Sequence, residues 1–478
     1  MELKDKDLAS LQQVRNLLYN ANEAKKQMAK MSQLQLDKIV KAICDAAVEN
    51  AGHLAKLAAE ETGFGNAEDK KIKNLFASQM VYDSIKDLKT VGLINTDEKR
   101  CIREYACPVG VIGALVPSTN PTSTVIYKSM IAVKSGNSIV FSPHPKALNC
   151  ILETIKIIYK AAVDAGLPGG GISCISIPTV QATEELMRHK YTNLILATGG
   201  PGMVKAAYSS GTPSIGVGAG NGPAFIDKSA DVDKAVKRII DSKTFDNGTI
   251  CASEQSIVVE KSVENKVVTA LEKYGAYIMS GEESQKLAGI LFKNGKMNAA
   301  IVGKPACYVA KMAGLNVPEN VTVLVARETM VGLNAPYSQE KLTPVLALYV
   351  EDNTERAMNR CVDILKFEGA GHSFMMHCMD ADLVDAFAKA IPASRIIVNS
   401  YGSLGGVGAT TNLFPALTLG CGTEGGGSNS NNIGPLDLIN VKRVAFGTRE
   451  ISDIKAEKSE VTPDMIEYIV NTVMKKLI

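Results

Sequence analysis

The stretch Cys101–Pro121, CIREYACPVGVIGALVPSTNP, decides the architecture. It carries a short run of β-branched and aliphatic residues that stops at Pro117 in a Ser-Thr-Asn-Pro turn, the pattern of a buried strand followed by a break. Runs of the same texture recur downstream as NSIVFSPHP from Asn137, GISCISIP from Gly171, TNLILATGG from Thr192 and SIGVGAG from Ser214. Helical stretches such as TSTVIYKSMIAVKSG and KALNCILETIKIIYKAAVDAG lie between them. Strands alternating with helices predict a doubly wound, mostly parallel sheet. A second cycle follows Asn221, with AFIDKS, SIVVEKS, PVLALYV, HSFMMHC and RIIVNS as strands and VENKVVTALEKYG among the helices. The α/β fold is therefore expected to have two lobes, joined near Gly218 to Pro223.

Upstream, residues 7 to 90 are dominated by helical periodicity, and the run Leu36 to Gly63 ends on a glycine stop. Downstream of Gly447, REISDIKAEKSE is polar and charged, which predicts a linker. TPDMIEYIVNTVMKKLI then offers Thr462 as N-cap and Pro463 at the first helical position. Met465, Ile466, Ile469, Val470, Val473, Met474 and Leu477 fall on one stripe, an appended amphipathic helix.

Composition narrows the function classes. The chain has 478 residues, too many for one core of ordinary size, and 52 basic against 50 acidic residues leave +2, no electrostatic footprint for nucleic acid. No run of 18 apolar residues suggests a membrane span, and the charged start MELKDKDLASLQQ lacks the apolar core of a secretory signal. Ten scattered cysteines without CxxC or metal-type spacing read as reduced thiols, consistent with the cytoplasm and with no metal site. Most of them, like Cys44 on a helical apolar face, are expected to be inert core residues.

Ligands of doubly wound sheets bind at strand ends, so the turns are searched first. LVPSTNP holds Asn120, whose amide can donate to an oxygen developing negative charge, though Asn in a Pro-flanked turn is also common. LATGGPGMVKAA leaves amides near Gly200 free for a phosphate, yet it is not GxGxxG and lacks the acidic residue that usually follows. SIGVGAGNGP permits close backbone approach or a tight crossover. FDNGTICASEQS places Cys251 in a polar bend, where a partly exposed thiol beside backbone amides can have a lowered pKa and act as a nucleophile.

Taken in order, VPSTNP, TGGPG, GVGAGNGP, FDNGTICASEQS and EKLTPVLALY resemble the aldehyde dehydrogenase superfamily, specifically its coenzyme A-acylating branch, over roughly residues 10 to 447. That branch includes acetaldehyde and propionaldehyde dehydrogenases and the aldehyde dehydrogenase half of bifunctional aldehyde-alcohol dehydrogenases. The resemblance implies a cofactor-binding domain over 1–97 and 115–222, a catalytic domain over 223–435, and a β-hairpin oligomerisation arm from 98–114 and 436–448. Residues 449–478 remain as linker and helix. It implies Cys251 as nucleophile, Asn120 as oxyanion donor and His372 as a histidine associated with catalysis, with His377 structural. Leu115, Val116, Pro117, Ser118, Thr119, Asn120, Gly200, Gly218 and Leu419 would line the cofactor, and Glu340 would hold the nicotinamide ribose.

The implied reaction is NAD-dependent oxidation of a short-chain aldehyde through a thioester on Cys251. Hydrolytic relatives activate water with a glutamate where this chain has Val217, so the acyl group is expected to leave on coenzyme A, reversibly. Ser142-Pro143-His144-Pro145 replaces a Lys-Pro-x-Glu pattern that grips the adenosine ribose, so NADP use stays open. The tail resembles peptides that load enzymes into bacterial microcompartments, which implies a shell-protein partner; a homo-oligomer (dimer or tetramer) is the other implied partner. Two alternatives stand beside this reading: a hydrolytic enzyme giving the free acid, and a non-catalytic assembly protein.

Overall fold

The computed structural model describes residues 5–456 and 463–477. Helices Lys6–Met28, Gln33–Glu49, Ala51–Thr62 and Ala67–Leu75 open the chain. Asn50 divides the long periodic stretch into two helices, and Gly63 closes the second at φ 65°, a left-handed cap that glycine adopts without steric cost.

A five-stranded parallel sheet follows, in the spatial order Ile172–Cys174, Ser138–Pro143, Val111–Val116, Thr192–Thr198, Ser214–Val217. The chain winds outward from Val111–Val116 to one edge and then returns to its other side. The switch point therefore lies between Val111–Val116 and Thr192–Thr198. Both strands are largely buried, which is why they read as near-continuous apolar runs. Helix Pro121–Lys134 leaves the first strand and is buried along its whole length. Its Lys128 donates to Leu115 O at 2.8 Å and Leu196 O at 2.9 Å, tying the two sides of the switch point together.

The second lobe is a seven-stranded parallel sheet, ordered Ala276–Ile278, Val323–Arg327, Val345–Glu351, Glu254–Glu260, Gly222–Ile226, Gly371–His377, Ala393–Val398. Each sheet carries apolar clusters on both faces. A third, antiparallel sheet joins Gly92–Asp97, Ile102–Pro108 and Ile439–Ala445. Gly92–Asp97 thus pairs with the arm strands, whereas Val111–Val116 is the centre of the first sheet, so boundaries at 98 and 114 cut across both. The pleat alternation of the arm is weak in sequence because nearly all of its residues are exposed or half-buried.

The charged segment after Gly447 is not all linker. Ile451–Ala456 is helical, with Glu450 N donating to Asp453 Oδ2 at 2.8 Å across its start. Thr462, the expected cap of the last helix, lies outside the described residues, and that helix runs Pro463–Leu477. No helix among the described residues is long and apolar enough to cross a membrane.

Candidate active site

The two large sheets meet with unlike ends. The turns after Val111–Val116, Thr192–Thr198 and Ser214–Val217 leave carboxyl ends, while Cys251 and His372 stand at the amino ends of Glu254–Glu260 and Gly371–His377. A search confined to carboxyl ends therefore finds half of the cleft.

Cys251 follows a bend in which Asp246, Asn247 and Gly248 are all left-handed, at φ 48°, 53° and 74°. Such conformations cost energy for the two non-glycine residues and persist only where surrounding bonds impose them. Gly220 closes on the turn from the interlobe crossover: a Cβ there would stand 1.8 Å from Cys251 O. The Cys251 side chain is half-buried, against a cluster that includes Val217, Ile250, Ala252, Leu419 and Cys421. Burial pushes its thiol up to about 12, with Glu340 and Cys421 adding to the rise and Arg395 opposing it. Desolvation thus outweighs the nearby donors, the reverse of the lowered thiol pKa expected from the sequence.

Asn120 reaches the same turn from the first lobe, its Nδ2 3.4 Å from Thr249 O. Pro117, Ser118, Thr119 and Asn120 are half-buried and line the turn, but Leu115 and Val116 are 3% and 4% exposed and point into the core. Leu419 is likewise buried, 1% exposed. Gly200 caps helix Pro201–Tyr208 without any side-chain bond, and an added Cβ there would meet nothing within 4 Å. Gly218 faces Cys421 Sγ, 3.8 Å from such a Cβ. Glu340 accepts from Gly220 N at 3.0 Å, and burial, then Glu368, raises its carboxyl to about 8.

His372 is fully buried. Its Nδ1 lies 3.0 Å from Ser373 Oγ, while Nε2 has no partner. Burial and then Arg395 lower its pKa to about 3, so the ring is neutral. Arg395, 3% exposed, donates to Gly420 O at 2.7 Å and Gly371 O at 3.3 Å and contacts the Cys421 thiol, with Nε unpartnered. Sequence reasoning missed it, since an arginine inside a β-branched strand reads as a solvent-facing residue. It also missed a buried ionic group under the nucleophile turn. There Lys70 and Lys73 both meet Asp246, across more than 170 residues of sequence. Nothing local marks such a contact.

Residues 3–290 match the family described as "Aldehyde dehydrogenase family". The chain belongs to the aldehyde dehydrogenase family. It is 45% identical over 435 residues to the bifunctional aldehyde-alcohol dehydrogenase AdhE of Escherichia coli (strain K12), covering 90% of this chain and 49% of that protein. The chain thus spans about half the length of the first curated relatives it matches. It is 36% identical to the succinate-semialdehyde dehydrogenase (acetylating) of Clostridium kluyveri, covering 91% of this chain and 96% of the relative. Among solved structures, an acetylating aldehyde dehydrogenase from Geobacillus thermoglucosidasius superposes with a TM-score of 0.92 at 53% identity, over 94% of this chain and 99% of that one. A propionaldehyde dehydrogenase from the fucose utilisation bacterial microcompartment of Clostridium phytofermentans gives 0.82 at 28% identity, over 91% and 97%. A Rhodopseudomonas palustris propionaldehyde dehydrogenase, solved with bound CoA and an acylated cysteine, gives 0.81 at 26%, over 91% and 97%.

In this aldehyde dehydrogenase the residues present fit a nicotinamide dinucleotide. The uncapped helix at Gly200 offers backbone amides to a diphosphate, and Glu340 offers a carboxyl group to ribose hydroxyls beside the nucleophile turn.

Proposed function

We propose that the chain oxidises a short-chain aldehyde with NAD and releases the acyl group as a coenzyme A thioester, reversibly, through Cys251. The observation that carries the choice of acceptor is Val217: 3% exposed, it packs in the cluster that also holds Ile250, Ala252 and Cys421, and it has no group that takes a proton from water.

The Cys251 thiol gives its proton to solvent water, and the thiolate sulfur bonds to the aldehyde carbon. The carbonyl becomes an alkoxide held by Asn120 Nδ2–H and the Cys251 backbone N–H. The bound nicotinamide supplies the hydride acceptor. Collapse of the alkoxide then leaves a thioester on Cys251. The thiol of coenzyme A adds to that carbonyl, and the Cys251 thiolate departs, an exchange of one thioester for another. A neutral His372 that donates through Nδ1 keeps a lone pair on Nε2 through which the incoming thiol's proton can pass to the departing, more basic Cys251 thiolate. The competing hydrolytic reading needs a water-activating carboxylate at position 217.

Acetaldehyde, propionaldehyde and butyraldehyde assayed with and without coenzyme A test the reading. Multiple turnovers of NADH are expected only with the thiol present, none in Cys251→Ala, and slowed acyl transfer in His372→Ala. Equal steady-state rates without coenzyme A would leave the hydrolytic reading standing, and turnover by Cys251→Ala would end the nucleophile assignment.

The arm sheet supports assembly into a homo-oligomer. The terminal helix supports a second partner, a microcompartment shell protein. None of the described residues in Pro463–Leu477 is buried, and Ile466, Ile469, Val470 and Val473 are each at least half exposed.

A further inference from the structure

The Asn120 side chain is held from behind. Asparagine preceding a helix ordinarily turns its Oδ1 onto the free amides of the first turn. Asn120 is the N-cap of Pro121–Lys134, yet it makes no such bond. Its Oδ1 instead accepts from Lys73 Nζ at 2.5 Å, and its Nδ2 faces Thr249 O at 3.4 Å and Thr119 Oγ1 at 3.1 Å. The assignment of oxygen and nitrogen is chemically forced. An ammonium only donates and a carbonyl only accepts, so the amide has one orientation that satisfies both neighbours.

Lys73 is itself held firmly. It is 3% exposed, and its remaining donors go to Asp246 Oδ2 and to Thr249 Oγ1 at 3.0 Å. Lys70 joins the same Asp246 oxygen at 2.9 Å and reaches Thr119 O at 3.1 Å. Asp246 Oδ1 accepts from Asn66 N at 2.8 Å, in a space that exists because residue 65 is glycine: a Cβ there would stand 1.7 Å from that oxygen. One buried knot therefore joins helix Ala67–Leu75, the Pro117–Asn120 turn and the left-handed bend before Cys251. Burial lowers the Lys73 ammonium to about 8, while Asp246 holds it up, and it remains charged at neutral pH.

We infer that Lys73 is a positioning residue for the oxyanion site: it holds Asn120 Oδ1 away from the helix start, so that the Nδ2–H group points at the nucleophile turn. The inference rests on the proposed role of Asn120 in the Cys251 reaction. A cation bonded to the amide oxygen also polarises the amide and strengthens its N–H as a donor. Without Lys73, Oδ1 is free to swing onto the first-turn amides as an ordinary cap.

A double-mutant cycle tests this through the NADH formed in a single turnover without coenzyme A. Removing an oxyanion donor costs about 10²–10³-fold, so Asn120→Ala is expected to fall in that range. Lys73→Met is expected to lower the same rate about 10- to 100-fold with little change in KM for aldehyde. In the Asn120→Ala background, Lys73→Met should cost no more than about twofold, because what it positions is gone. An equal loss in both backgrounds would overturn the assignment. Lys73→Gln, which keeps a donor of shorter reach, takes its place in the cycle if the methionine variant does not fold. A crystal structure of either variant gives a readout independent of turnover: Asn120 Oδ1 should accept from a first-turn amide. Should the wild-type protein form no NADH with any aldehyde, the functional reading fails, while an Asn120 amide unmoved in that crystal would separately sink the role of Lys73.

Discussion

Val217 ends its strand with an aliphatic side chain buried in the same apolar cluster as Ile250, Ala252 and Cys421, against which Cys251 also packs. A thioester is activated toward water, and what a hydrolase adds is a base to make that water nucleophilic. Val217→Glu supplies one, and its burial beside apolar neighbours would raise the carboxyl toward neutrality, a suitable range for a base. The wild-type protein without coenzyme A should release about one NADH per Cys251 and stop. Val217→Glu should continue to turn over, at least about tenfold faster in the steady state, and yield free acid. Val217→Gln, similar in shape but with no base, should behave like the wild type. Absorbance of NADH over time, with the acid quantified at the end, reads all three; a glutamine variant that hydrolyses equally would move the explanation from a base to simple opening of the site.

The Gly371–His377 strand shows how an element couples function to stability. His372 and His377 are both buried within it, and neither ring nitrogen of His377 has a partner among the described residues. Burial, then Arg238, lowers His377 to about 4, and His372 stands at about 3. An unfolded histidine titrates near 6.5, so between that value and the folded one the unfolded chain binds more protons. The resulting stability is complete above about pH 6.5 and is lost as pH falls toward 4. Each ring should account for about 2 kcal/mol of loss between pH 8 and pH 5. Urea unfolding at the two pH values should show His377→Gln losing about 2 kcal/mol less than the wild type. An unchanged difference would mean that the ring is protonated in the folded state. The strand itself was legible because a parallel strand buried on both faces is a short apolar run between glycine turns. That Cys251 and His372 occupy amino ends is not legible in the sequence, because the strand-end rule describes a ligand held by one sheet and this cleft is shared by two. The Lys73–Asp246 knot was hidden for a different reason: its members sit on a helix and a turn that periodicity describes as ordinary, and only the docking of the two lobes brings them together.

The terminal helix stands apart from the catalytic architecture. Burial of its stripe is what would stabilise Pro463–Leu477, because an isolated helix of about 12–15 residues is marginal in water. No residue of it is buried in the single chain, although its sequence has an apolar stripe, an acidic first turn and Lys475 and Lys476 at its end. Two surfaces can take that stripe: another copy of this chain or a shell protein, and they make opposite predictions for deletion of 450–478. Docking on a shell leaves turnover within about twofold, and the urea midpoint and oligomer size unchanged, because none of the segment's described side chains is buried. It abolishes co-sedimentation with shell protein, and the same segment fused to an unrelated fluorescent protein should confer it. Docking on a neighbouring subunit instead lowers the midpoint or the assembly size and gives the fusion no affinity for the shell. Light scattering of the truncated protein beside sedimentation of the fusion therefore separates the two. The apolar side chains at 466, 469, 470 and 473, rather than the charged segment before them, should carry the result, so aspartate at 469 and 473 should reproduce the deletion.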